Sequence, residues 1–201
     1  MLSRFLCTAV LSAWGLSAQG LSAPPGSAPL PPLTLAERAR IYTSATVGVG
    51  SLLSSAASAA IDQWRDVPPE WGHGAAGYGR RFGYGLAGDA ASNAIQFGVS
   101  ALRHEDTRYR RSHEHGFWRR AGYVIVHTYL VPTDRGETTL AVSRIFGAYG
   151  SAFIANTWYP ARLSTPGEAV LRGTWNAAAD MGNSAFLEFW PDIKRKVFRR
   201  R

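Results

Sequence analysis

The sequence predicts an all-α protein: a bundle of about five helices, preceded by a disordered N-terminal tether. Three observations carry this. Long apolar stretches are separated by proline and glycine breakers at helix-length intervals. No segment shows the period-two alternation of a half-buried strand. Small residues recur at every fourth position in three rows: Thr46, Gly50, Ser54 and Ser58; Ala90, Ala94 and Gly98; Gly147, Ser151 and Ala155. That spacing lines one face of a helix.

Residues 1–20 read as an export signal. Arg4 supplies the positive start, Phe5 to Ala18 a short apolar run, and Ala18-Gln19-Gly20 a small-x-small cleavage site. An uncleaved N-terminal anchor is the alternative. Cys7, the single cysteine, falls here. A cleaved chain would hold no thiol for a disulfide, a zinc–thiolate site or a nucleophile. Residues 21–33 form a Pro/Ser-rich linker, residues 34–198 the helical domain and residues 199–201 a basic tail.

Within the domain, Thr34 and Glu37 fit a capping box, which opens a helix running to about Trp64. That helix carries no charge between Ile41 and Ile61. Pro68 and Pro69 stop it. A second helix is expected from about Ala75 to His104 and a third from about Gly116 to Leu130. The turn "PTDRGET" leads to a fourth, Thr138 to Trp158. Ser164 or Thr165 caps a fifth, with Pro166 in its first turn. It runs to about Phe189 and is kinked or broken at Pro191.

The formal charge is +8 and the pI about 10.1. Such a balance suits an acidic partner or anionic lipid. Export argues against nucleic acid. Rows of small residues let helix backbones approach closely, a habit of helices packed in lipid. A soluble bundle with alanine-rich contacts is the competing reading. The mean hydropathy of -0.12 is low for a chain that spans repeatedly. In a fully spanning topology the most basic loop, residues 103–120, would face outward, against the positive-inside tendency. Partial insertion or peripheral attachment is therefore the favoured expectation.

The stretch "LRHEDTRYRRSHEH", residues 102–115, concentrates histidines, acids and arginines. His104, Asp106 and His113 are its candidate catalytic residues. A helix end closed by ion pairs fits better than a metal site, because the ligand spacing matches no motif and arginines crowd the acids. No metal or other cofactor is expected. "GYGLAG", residues 83–88, matches a dinucleotide fingerprint but lacks the preceding strand that would aim it. Asp89, Asn93, Asn156, Asn176, Asp180 and Asn183 form a polar set on apolar helices. They imply either a polar pocket or interhelical hydrogen bonds that fix register, and the second is favoured. Arg108, Arg110 and Arg111, with Lys194, Arg195 and Lys196, are the candidate contacts for anionic lipid or an envelope protein.

Four stretches, "EWGHGAAGYGRRFG", "LRHEDTRYRR", "IANTWYP" and "FLEFWPDIKRK", together resemble a family of uncharacterised exported bacterial proteins. In longer relatives that region can follow a carboxypeptidase-regulatory-like β-sandwich domain, which this chain lacks. The family signatures map to Asp106 and to Asn156, Tyr159 and Pro160. Thr107 stands where the family pattern carries proline, which implies a looser turn there. The resemblance implies one helical exported unit and supplies no mechanism. The expected function is a non-enzymatic, membrane-associated scaffold or interaction protein of the cell envelope. The alternatives are an envelope hydrolase using His104 and Asp106, and a binding domain for an acidic envelope polymer.

Overall fold

The computed structural model describes residues 31–198. The export signal, most of the linker and the tail 199–201 lie outside the described residues. The described residues form six α-helices, two short 3-10 turns and one short hairpin, with an irregular segment over 105–116. The elements are α1 (Leu35–Val47), α2 (Val49–Trp64), α3 (Gly74–Arg103), α4 (Phe117–Tyr129), β1 (Leu130–Pro132), β2 (Thr138–Leu140), α5 (Val142–Ala155) and α6 (Pro166–Phe198). Short 3-10 turns at Pro69–Trp71 and Ala161–Leu163 join the rods at one end.

The capping box forms as expected. The Glu37 backbone N–H donates to Thr34 Oγ1 at 3.2 Å, and the Thr34 N–H donates back to Glu37 Oε2 at 2.9 Å. The first rod is not one continuous helix. Gly48 takes an extended conformation (ψ 153°) and separates α1 from α2. Thr46 and Val47 are β-branched and Gly48 is the weakest ordinary helix former, so this is where the rod gives way.

Two other expectations need correction. The "PTDRGET" turn lies between strands: β1 and β2 pair antiparallel, Leu130 with Leu140 and Pro132 with Thr138. Gly136 closes the turn at φ +81°, a left-handed conformation that suits glycine. Three-residue strands are too short to display alternation, and they shorten the neighbouring helix to Val142–Ala155. Further on, α6 runs unbroken through Pro191 to Phe198. Thr165 Oγ1 caps its start by accepting from the Glu168 N–H at 3.2 Å.

The helices pack in a row. α1 and α2 lie on α3, α3 on α5, α5 on α6 and α6 on α4. Of the three small-residue rows, only the third is interior. Gly147 and Ser151 are buried, as is Ala155, and a Cβ on Gly147 would overlap the Gln96 side chain of α3. Gly50, Ser54 and Ser58 face outward, as do Ala90 and Ala94. Spacing of four identifies a face but not which way it points.

The interior is made of small and polar groups. Its apolar members are mostly alanines: Ala59, Ala141, Ala148, Ala152, Ala155 and Ala169. The largest fully buried side chains are Glu105, Glu188, Thr128, Ser100, Ser143 and Ser184. At the end opposite the N-terminus, the loop after α2 folds over the buried Arg81 guanidinium. It donates to the Val67 carbonyl at 2.9 Å, the Gly72 carbonyl at 2.7 Å, the Pro68 carbonyl at 2.9 Å and Gln63 Oε1 at 2.6 Å.

Gly77 sits beneath that loop, where a Cβ would overlap the Gly72 carbonyl oxygen. Gly77→Ala is expected to destabilise the fold by about 1–3 kcal/mol, because backbone must move to admit the methyl group. Gly79→Ala, where the added Cβ meets open space, is expected to be neutral or to stabilise by up to about 1 kcal/mol. Thermal unfolding of the two variants, followed by circular dichroism, checks the contrast.

Candidate functional site

The acid- and arginine-rich stretch is an ion-paired junction of helix ends. His104 is the C-cap of α3, in the left-handed conformation at φ 55°. Its ring is largely exposed, and Nδ1 meets Asp134 Oδ2 at 3.1 Å. Asp106 does not pair with it. Asp106 is instead gripped by Arg108, with Nε at 2.9 Å and Nη2 at 2.7 Å, by the Arg108 N–H at 3.1 Å and by Arg110 Nη2 at 3.3 Å. Burial opposes its ionisation, but the Arg108 and Arg110 donors outweigh burial and hold the carboxyl below its ordinary value. A carboxylate held ionised by two guanidiniums is a poor base. His113 is exposed in the loop beyond. The segment after Asp106 is tied down: Thr107 Oγ1 lies 2.9 Å from the Tyr42 hydroxyl, and its carbonyl accepts from Arg144 Nη2 at 2.9 Å.

Two buried acids organise this end. Glu105 is completely buried. Its carboxylate accepts from Arg103 Nε at 2.6 Å, the Val142 N–H at 3.2 Å, the Ser143 N–H at 3.0 Å and Ser143 Oγ at 2.6 Å. It therefore caps the N-terminus of α5, where backbone donors and the helix dipole favour a negative charge. Arg38 reaches in from α1. Its Nη1 donates to the carbonyls of Ser100 and Glu105, and its Nη2 meets both carboxylate oxygens of Asp134 at 2.9 Å. Glu188 of α6, also fully buried, accepts from the Tyr109 hydroxyl at 3.0 Å, the Ser112 N–H at 3.0 Å, Ser112 Oγ at 2.7 Å and Arg120 Nε at 2.7 Å. Burial raises its pKa, yet the Ser112 and Arg120 donors win and the carboxyl lies below its ordinary value.

Of the candidate lipid contacts, Arg108 and Arg110 spend donors on Asp106, and Arg111 Nη2 donates to the Glu188 carbonyl at 3.3 Å. Lys194, Arg195 and Lys196 are exposed on the last turns of α6, with Arg195 paired to Asp192.

The polar set on the helices divides. Asn93 Nδ2 donates to Thr46 Oγ1 at 2.9 Å, a register bond between α3 and α1. Asn183 points outward, so it does not share a working face with Asn176 and Asp180. Asp89, Asn176 and Asp180 come together in a furrow with a cavity of about 260 Å³. Ala148, Ser151 and Ala155 of α5 form its floor. Tyr84, Gly88, Asp89 and Ser92 of α3 form one wall, and Arg172, Asn176 and Asp180 of α6 the other. α5 lies between α3 and α6, and its small floor residues leave the space between the two walls unfilled. Asn156 stands behind the wall, accepting from Arg172 Nη1 at 3.1 Å. Arg172 also donates to the carbonyls of Ala152 and Leu163 at 2.9 Å each and lies 4.0 Å over the Tyr159 ring. Asp106, by contrast, is at the junction and not in the furrow.

Among the described residues, no three His, Cys, Asp or Glu side chains lie close enough to hold a metal ion. Comparison with protein-family models, curated proteins and solved structures finds no match to this chain.

Two outcomes follow for the junction. Glu105→Ala strips four hydrogen bonds from buried or half-buried donors and leaves the start of α5 uncapped, and is expected to cost about 3–5 kcal/mol. Chemical denaturation checks it, with the exposed Glu114→Ala as control. Asp106 and Glu188 carry lowered pKa values, from ordinary ones of 3.8 and 4.5. Their stabilisation is therefore complete above those ordinary values and lost as pH falls through the lowered ones. Unfolding free energy measured from pH 6 down to pH 2 should decline in that window, and less steeply in Glu188→Gln.

Proposed function

We propose that this chain is an exported, membrane-associated helical protein of the cell envelope, with a non-enzymatic scaffold or interaction role. The observation that carries the reading is the inverted distribution of side chains. Buried positions hold glutamate, serine, threonine and alanine, while Trp64 (86% exposed), Leu102, Trp118 and Val49 stand on the surface. In water each such side chain would forgo about 1.5–3 kcal/mol of burial.

The rod Leu35–Trp64 is long and apolar enough to cross a membrane, with a mean hydropathy of 1.3, and only 11% of its apolar window is buried. A core helix of a soluble protein would be mostly buried. Residues 41–61, which cross the Gly48 junction from α1 into α2, carry no charge. Arg38 and Arg40 precede that stretch, and Asp62 and Arg65 follow it. Trp64 at one end, with Trp118 and Trp190 toward the other, suits lipid–water boundaries. The resemblance to exported bacterial proteins points the same way. Lys194, Arg195 and Lys196 are then placed to meet anionic headgroups, each adding about 1 kcal/mol near the surface.

Fractionation tests the reading. The protein should sediment with membranes, resist high-salt and carbonate extraction, and be released by detergent. Full recovery in a soluble extract would overturn it. Leu53→Lys on the exposed face of α2 sharpens the test. At a water-exposed site it should cost less than about 0.5 kcal/mol. In hydrocarbon the penalty is about 2.5–3.5 kcal/mol, and the membrane-bound fraction should fall.

A further inference from the structure

We propose that the furrow between α3, α5 and α6 is a binding site for a small organic cation that also carries an acceptor oxygen, such as an amino alcohol. Two carboxylates set the charge. Asp89 lines one wall, its Oδ2 accepting from Ser55 Oγ at 3.0 Å. Asp180 lines the other, and its carboxylate accepts no hydrogen bond from any described residue. The cation beside them, Arg172, does not discharge them. Its Nη1 donates to Asn156 and the Ala152 carbonyl, its Nη2 donates to the Leu163 carbonyl, and its face is covered by Tyr159. Arg144 lies within electrostatic reach of Asp180, but its Nη2 donates to the Thr107 carbonyl, so the Asp89 and Asp180 oxygens are left as acceptors for an ammonium group.

Aromatic rings favour an organic cation over a metal ion. Tyr84 and Trp158 line the furrow with rings stacked nearly parallel, 6.2 Å apart at 9°, and Tyr159 is beside them. Ring faces attract ammonium groups. An independent observation adds the second feature of the ligand. Trp158 Nε1 is buried and has no hydrogen-bond partner. A buried indole N–H ordinarily finds an acceptor, and a ligand hydroxyl or carbonyl oxygen in the furrow would supply it. The cavity of about 260 Å³ suits a small molecule and is too small for a helix. The same chemistry is available from a free amino alcohol and from an ethanolamine lipid headgroup.

The test uses the full chain, purified in detergent, with calorimetric titration at fixed ionic strength. The probes are ethanolamine, n-propylamine, n-propanol, magnesium chloride and dihexanoyl phosphatidylethanolamine. Ethanolamine should bind saturably at one site per chain and more tightly than n-propylamine, while n-propanol should not bind. Asp89→Asn and Asp180→Asn should each weaken binding at least tenfold. Trp158→Phe should erase the preference for ethanolamine over n-propylamine. Gly88→Leu should abolish binding; it projects bulk into open space around Gly88, so it serves where an aspartate variant loses its fold. Tighter binding of the lipid than of free ethanolamine, with the same variant pattern, upholds the site and names its source.

Four outcomes overturn the proposal: no binding of either amine to the folded chain; amine binding untouched by both aspartate variants; magnesium binding that depends on Asp180 and displaces ethanolamine; or self-association that Gly88→Leu disrupts, which would give the furrow to a second copy. The furrow does not depend on membrane association, so this titration and the fractionation can fail separately.

Discussion

The arrangement of the whole chain depends on Glu105. Its carboxylate caps α5, its carbonyl receives Arg38 from α1, its N–H closes the end of α3 on the Ser100 carbonyl, and its backbone bridges to Thr133 beside the hairpin. A fully buried carboxylate is costly to desolvate. It is tolerated here because it meets four donors, two of them backbone groups at a helix N-terminus. α1, α3, the hairpin and α5 are therefore located relative to one residue. The chain direction after His104 follows from it: the left-handed turn at His104 carries Glu105 beneath the start of α5.

That junction allows the rest of the interior to be small. Alanine, glycine and serine along α5 permit close approach to α3 and α6, so α5 becomes the buried central rod. Close packing of small residues yields dispersion contacts over short distances, but little apolar area per residue. The bulky side chains go to the outside: Phe146, Phe153 and Ile154 on α5, and Leu171, Trp175 and Phe186 on α6. Core composition and surface composition are thus one property. A chain that fills its centre with small groups must put its large apolar groups somewhere else. The furrow has the same origin, since Ala148, Ser151 and Ala155 give its floor no height.

How much of this was legible in the sequence depended on range. Local signals read correctly. The Thr34–Glu37 box, the Thr165 cap and the proline stops place helix ends because their physics acts within four residues. The break at Gly48 had a local cause that the apolar run concealed. The strands were missed because three residues cannot show a period. The break allowed for at Pro191 does not occur, because a proline's missing N–H and ring clash weaken a helix without forcing it to end. For the site, Asp89, Asn176 and Asp180 were visible as polar residues on apolar rods. Their meeting depends on the α3–α5–α6 order, which no spacing within one helix encodes. Glu105 and Arg81 look like ordinary charges in charged surroundings, whereas Glu188 stands out as a polar residue on an apolar helix. Only burial distinguishes the first two, and burial is a tertiary property. The one local hint was the run His104-Glu105-Asp106 directly after a helix, where an acid can reach another helix's N-terminus.

The charged clamps also answer a problem that small-residue packing creates. Faces built from alanine, glycine and serine are smooth, and neighbouring registers differ little in contact energy. Large side chains interlocking as knobs in holes would penalise a slide, but the interior has few of them. Register must come from elsewhere, and hydrogen-bonded ionic groups supply it because their geometry fails within about an ångström. The clamps sit where this demands. Arg81 holds the α2–α3 end through five acceptors, counting Asp66. Arg38, Glu105 and Asp134 hold the opposite end. Glu188 with Arg120 ties α6 to the segment that leads into α4. Asn93 to Thr46 adds a bond midway. Buried ion pairs seldom raise net stability above that of well-packed apolar residues. Here their contribution is specificity: they select one register from the several that a smooth interior would accept.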